Sequence, residues 1–382
     1  MAEDEFRIWN HFRPHGGIVD LTALDEDVKL LWQLPLRYLN DAISPARLSP
    51  SQPEEELPSY LAYVHNPGFN AAIRHEERAM AAGLFVGLPF IAHQACRLFA
   101  TRMDQATGLP LCDPGGRLVV YSDPIPLPTV WSGLQDPATQ ALTDITRFEE
   151  ETPLTNNLLA TFMFDIAMRY VAMHECMHFA LGHARFCQTE LGLDAFEDAS
   201  PRRSALDPIT SQTLEFIADR HTMAGLVVDL DEGRLFHEWC REAPDFITVP
   251  VSVWHRRVLV ATVALISRLW TSHGSMTLGD LSSAYPHPYE RVCWMVCGLS
   301  EMARDKSLAY EHDLSMALSV GSLDRNFQTA RQDIPLIERD NKVLQLFGHS
   351  ELDHGYDVVR ARAVEIQHVL YKKYGPFYPE SK

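Results

Sequence analysis

Residues 158–181 read LLATFMFDIAMRYVAMHECMHFAL. Apolar side chains fall on every side of a 3.6-residue repeat, so the spacing predicts a helix buried on all faces, not a surface helix with one apolar stripe. Thr155 is placed to cap this helix, and Gly182 suits its C-terminal end. A helix of this kind has to sit among other elements. The fold class expected is therefore mainly α with a small β-sheet, an α+β arrangement.

Into this apolar run the chain inserts His174, Glu175 and His178, the pattern H-E-x-x-H. Residues four apart share a helix face, so two imidazoles can point at one metal ion. Glu175 is offset by about 100° and lies beside that ion, where a carboxylate can take a proton from an attacking water. Two histidines and a glutamate on a buried helix are costly without a metal or other partners.

A second helix is expected over 208–228, with Asp207 as N-cap and Pro208 at the first helical position. It carries Glu215-Phe216-Ile217-Ala218-Asp219. Glu215 would complete a His, His, Glu set and leave a fourth position open, the arrangement of a catalytic zinc site. Asp219, one turn later, is placed to accept the other ring N–H of a ligand histidine. The expectation is Zn2+ on His174, His178 and Glu215, with Glu175 as general base and Asp219 behind the ligands.

Elsewhere the signals are shorter. Strands are expected near 69–73, 80–86 and 117–122, and a helix over 89–103. Further amphipathic helices are expected near 252–272, 288–304 and 357–374. Residues 44–59, 108–116 and 124–139 read as irregular, and 187–206 as a polar stretch with Asp194, Glu197, Asp198, Arg202 and Arg203. The acidic segment 349–354, flanked by His349 and His354, reads as a solvated loop. Cys293 and Cys297, Cys176, and Met163, Met168, Met173 and Met177 read as core residues.

The chain has 382 residues and a formal net charge of −18, with a pI near 5.3. That balance argues against nucleic acid or anionic lipid as a partner, since both select clustered Lys and Arg. The N-terminus is acidic and lacks the apolar region of a secretory signal. The apolar stretches 79–92 and 258–267 fall short of the roughly 20 residues a spanning helix needs, so no membrane insertion is expected. Seven scattered cysteines without a paired framework suit reduced thiols and a cytoplasmic location.

The sequence HECMHFALGH at 174–183, followed by EFIAD at 215–219, resembles the gluzincin metallopeptidases. In particular it resembles the family of CAAX prenyl endopeptidases, HtpX-type heat-shock proteases and the mitochondrial protease Oma, and soluble H-E-x-x-H proteins such as the phage-exclusion peptidase Lit. The likeness covers roughly 155–230 and extends weakly to about 70 and 295. It implies a zinc endopeptidase with His174, His178 and Glu215 as ligands, Glu175 as base and Asp219 behind them. His183 is five residues after His178, not the six that a metzincin third ligand requires, so it is expected to support the site or close the helix.

The family also carries H-P-x-x-x-x-R, whose His and Arg face the substrate carbonyl. Here the chain reads Tyr285-Pro286-His287-Pro288-Tyr289-Glu290-Arg291. By spacing to Arg291 the donor is Tyr285, and by residue type it is His287. Either can donate to developing negative charge. The competing reading is a proline-bounded helix start with Arg291 in a structural ion pair. Upstream, Phe69-Asn70-Ala71 resembles the family's strand that borders the cleft and pairs with extended substrate.

The expected organisation is a single metallopeptidase domain over 1–382. Within it lie an N-terminal extension to about residue 60, a zincin-like core over 61–300 and a helical C-terminal region over 301–382. The expected function is hydrolysis of a protein or peptide substrate through a metal-activated water. The alternative is a metal-bearing sensor or interaction protein without turnover. Substrate identity, oligomeric state and any restraint of the site by 187–206 are left open.

Overall fold

The computed structural model describes residues 9–20, 36–37, 59–76, 79–111, 114, 154–192, 196–197, 206–231, 246–270, 280–287, 290–296 and 350–374. Among these the chain is mainly helical, with a small four-stranded sheet and a separate two-stranded one. The strands are β1 (Ser59–Val64), β2 (Ala71–Glu76) and β3 (Ala79–Phe85), and helix α1 (Gly87–Ala100) follows. A short hairpin of β4 (Met103–Asp104) and β5 (Leu109–Pro110) comes next. Then come α2 (Leu154–Ala180), α3 (His183–Leu191), β6 (Phe196–Glu197), α4 (Pro208–Asp231), α5 (Val251–Leu269) and α6 (Ser350–Tyr374).

The main sheet has the order β1-β3-β2-β6. β1 runs parallel to β3, with Tyr63 opposite Leu84, and β2 runs antiparallel to β3, with Ile73 opposite Ala82. All seven residues of β3 are buried, because both faces of the sheet are covered. The two-residue alternation decides which cover each side chain meets. Met80, Ala82 and Leu84 join Ala71 and Ile73 against the helices. Ala81, Phe85 and Ala72 join Val64 against Trp9 and Phe12. Gly83 is required on that second face, since a Cβ there would lie 2.8 Å from the Phe12 ring and 2.5 Å from Val64 Cγ2.

α2 is buried from Leu159 onward on nearly every turn, as its composition predicts. It packs against α1, α4, α5 and β2. α6 packs across α4 and α3, so the C-terminal helix is part of the same packed body as the H-E-x-x-H helix. The stretches 79–92 and 258–267 lie in the core, and no described helix is long and apolar enough to cross a membrane. Cys96, Cys176, Cys187 and Cys293 are buried and form no disulfide, and Met163, Met168 and Met173 are core residues.

Several elements differ from the sequence expectations. β1 was not expected, although its aromatic pair Tyr60 and Tyr63 fits a strand. The helix expected over 89–103 ends at Ala100. Asp104 then accepts hydrogen bonds from the Ala106 N–H and the Thr107 hydroxyl, both at 2.9 Å, and turns the hairpin. The hairpin is docked on α5, where Trp254 Nε1–H donates to Gln105 O at 2.8 Å.

α2 ends just before Gly182, as expected, but a second helix follows this glycine. Gly182 adopts φ 79° and lets α3 start at once with His183, so 187–191 is helix and not loop. Residues 350–354 are helical as well and belong to α6, not to a loop. The expected strand 117–122, the irregular stretch 124–139, His349 and Cys297 lie outside the described residues.

The strand carrying Phe69-Asn70-Ala71 is β2 in outline, but its outer edge is not open along its length. Ala72 and Ile73 pair antiparallel with Glu197 and Phe196 of β6. Two residues of the polar stretch 187–206 thus take the backbone positions that an added strand would use.

Candidate metal centre

The centre forms where α2 and α4 pack together. His174 and His178, one turn apart on α2, have ring centroids 4.6 Å apart at 84°, and their Nε2 atoms are separated by 2.9 Å. From α4, Glu215 brings Oε2 to 3.3 Å from His174 Nε2 and Oε1 to 3.5 Å from His178 Nε2. The ligand atoms of these three residues all lie within 4.8 Å of one another. His174, His178 and Glu215 are 0%, 1% and 0% exposed, and Glu175 is 4% exposed. Two imidazole nitrogens and a carboxylate converging in a buried space fit a divalent cation, which answers the desolvation of all three groups.

Behind the ligands lies a second layer of polar contacts. Asp219, one turn after Glu215, places Oδ1 2.9 Å from His174 Nδ1. It also accepts the Tyr170 hydroxyl at 2.6 Å and the Arg291 guanidinium at 2.6 and 2.9 Å. His178 Nδ1 lies 3.0 Å from His183 Nδ1 at the start of α3. Each histidine therefore has a polar neighbour close to Nδ1 and turns Nε2 toward Glu215, an arrangement that suits a ligand histidine.

Electrostatics follow from this packing. Burial would raise the Asp219 carboxyl, but the Arg291 charge and then His174 outweigh it and hold the group below its ordinary value. Burial disfavours charge on His174, yet Asp219 and the Glu215 contact lift the imidazole to about 10. That is a measure of the local field: the carboxylates favour positive charge at His174 Nε2. Burial together with the neighbouring Asp219 keeps the Tyr170 phenol protonated, well above its ordinary value.

Arg291 reaches the centre from the helical residues 290–296. The resemblance aims it at a substrate carbonyl. Its Nη2 instead donates to Glu215 Oε2 at 3.1 Å, and its guanidinium stacks 4.5 Å from the Trp270 ring centroid. Buried between two carboxylates and an indole, it fixes the ligand carboxylate and Asp219 in place.

His287 forms the start of that helix. Its backbone N–H donates to Glu290 Oε2 at 3.1 Å, and its carbonyl accepts the Arg291 N–H at 3.0 Å, which places His287 as the N-cap. Gln212, three residues before Glu215, donates to Asp280 O at 2.9 Å and Ser283 O at 2.7 Å. The loop leading to half-buried Tyr285 is thereby tied to the ligand helix. The structure thus brings His174, His178, Glu215, Asp219, His183 and Arg291 into one cluster, and Glu175 follows His174 on α2 and is buried. It places His287 at a helix cap and Tyr285 in the loop before it.

Two neighbours were missed in the sequence. Tyr170 sits four residues before His174 on the same face, so its position was legible. Trp270 comes from the C-cap of α5 and stands 5.5 Å from the His174 ring, and no spacing rule points to it.

Compared with family models, curated proteins and solved structures, the chain gives no match.

Proposed function

We propose that the chain is a zinc-dependent endopeptidase, the reading first suggested by its resemblance to the gluzincin metallopeptidases and their zincin-like core. The observation that carries it is the joint placement of His174, His178 and Glu215 with Glu175 at the adjacent helix position. A zinc ion held by these three residues would supply Lewis-acid polarisation of a carbonyl and make water more acidic. Glu175 accepts a proton from the water as its oxygen adds to the peptide carbon, and returns it to the amine as the C–N bond breaks. Asp219 and His183 stand against the Nδ1 atoms of the two imidazoles and would orient them, and Arg291 holds the Glu215 carboxylate. The identity of the metal as zinc rests on the donor set, two imidazoles and one carboxylate.

The test compares purified wild type with Glu175→Gln and His178→Ala by elemental analysis and by mapping new peptide termini in a cell lysate. Wild type and Glu175→Gln are expected to carry one zinc each, and His178→Ala none. Cleavage is expected in wild type alone, with Glu175→Gln reduced at least about 100-fold. A second reading, a metal-bearing protein without turnover, is favoured by the near-complete burial of Glu175 and the ligands. Full zinc occupancy with no new termini in wild type would decide for it.

A further inference from the structure

Trp270 is 6% exposed, and its indole N–H has no hydrogen-bond partner among the described residues. A buried donor left without an acceptor is costly, and buried indoles ordinarily find one. Asn70 Nδ2 and Trp294 Nε1 share that condition. What separates Trp270 is its setting. Its ring stands 5.5 Å from His174, 6.0 Å from Tyr170 and 5.8 Å from Phe69, with the Arg291 guanidinium stacked on it at 4.5 Å. The indole therefore spans the ground between the residue leading into β2 and the ligand helix α2.

We propose that the Trp270 indole N–H donates a hydrogen bond to an oxygen of the ligand bound at the metal centre, a carbonyl or carboxylate-like group. This rests on the metal-centre reading and adds a donor supplied by α5. The stacked Arg291 holds the ring in one orientation, so the donor is pre-set and no rotamer has to be ordered on binding. Such a donor is unsatisfied until the ligand arrives. Its lost hydrogen bond in the ligand-free protein is recovered only in the complex.

Trp270→Phe removes the N–H while keeping an aromatic face for Arg291 and His174. The full chain, zinc-loaded and labelled with 15N-tryptophan, is titrated with acetohydroxamate, whose oxygens ligate zinc and accept hydrogen bonds. Of the seven tryptophan indole signals, the one absent in Trp270→Phe is expected to move downfield in wild type. Acetohydroxamate affinity is expected to fall about 10-fold in Trp270→Phe. Zinc content should be unchanged, and the melting temperature unchanged or higher, because an unpaired buried donor has gone.

An indole signal that stays still, affinity within twofold of wild type, failure of wild type to bind the probe, or a loss of affinity that tracks loss of zinc would each overturn the proposal. Should Trp270→Phe not fold, the wild-type shift decides, with the signal assigned by phenylalanine variants of the other tryptophans. A wild type that binds acetohydroxamate through the indole but cleaves no peptide sinks the endopeptidase reading and leaves the donor standing.

Discussion

His183 Nδ1 lies 3.0 Å from His178 Nδ1, although the two are five residues apart. In an unbroken α-helix they would point roughly 140° away from each other. The left-handed Gly182, φ 79°, breaks α2 and swings His183 back over the ligand. The residue before the histidine is thus what makes the pair.

Replacing His183 by Ala should weaken zinc binding by about 10-fold without loss of stoichiometry at saturating metal, because His178 keeps its place but loses the partner that fixes its tautomer. Chelator competition measures this. Unchanged affinity would mean that His183 only packs against the ligand.

Asp219 touches His174, Tyr170 and Arg291 together. Asp219→Asn should lower zinc affinity about 10- to 100-fold. Asp219→Ala should in addition destabilise the fold by about 3–5 kcal/mol, because the Arg291 charge is left buried with one carboxylate fewer. Denaturant titration of the two variants separates the effects; equal stability would contradict the buried-charge account.

His287 caps a helix through its backbone, so His287→Ala should leave both the cap and the zinc content in place. If the donor role implied by the resemblance belongs to either side chain, His287→Ala or Tyr285→Phe will lower kcat with KM little changed. Measuring both on one peptide checks it. Wild-type kcat in both would leave 285–291 as the segment that positions Arg291 and nothing more.

His255 stacks on Phe162 at 5.3 Å, and burial lowers its pKa from 6.5 to about 4. The unfolded chain therefore takes up a proton as pH falls through about 6.5, while the folded chain stays neutral until about 4. The contribution of His255 is complete above pH 6.5 and is lost between 6.5 and 4. Melting temperature against pH should fall less steeply across that window in His255→Phe than in wild type. Parallel curves would remove His255 from the acid response.

The four-residue spacing that puts two side chains on one helix face made His174, His178, Glu215 and Asp219 readable in advance, and Asp207 showed where α4 begins. That α2 and α4 would face one another was legible only as a chemical demand: two sets of buried polar groups needed a common partner. Trp270 was not legible, because it meets the site through packing of α5 and no local pattern records such a meeting. Arg291 was singled out in the sequence, but spacing alone could not tell whether its guanidinium turns to a substrate or to Glu215, where the structure has it. α3 was missed because a glycine after a helix signals an end, and only the backbone angle shows that a second helix follows at once.

The seal around the ligands has a kinetic corollary. His174, His178 and Glu215 are buried where α2 meets α4, so an ion held there would be covered by both helices. Its departure waits for the two helices to part, an excursion that breaks core contacts and is correspondingly infrequent. On the proposed zinc reading, the residence time of the metal would be a clock for that breathing motion. On the proposed endopeptidase reading, a peptide would reach the buried Glu175 through an opening of the same kind, and a single slow step would govern both metal exchange and substrate entry.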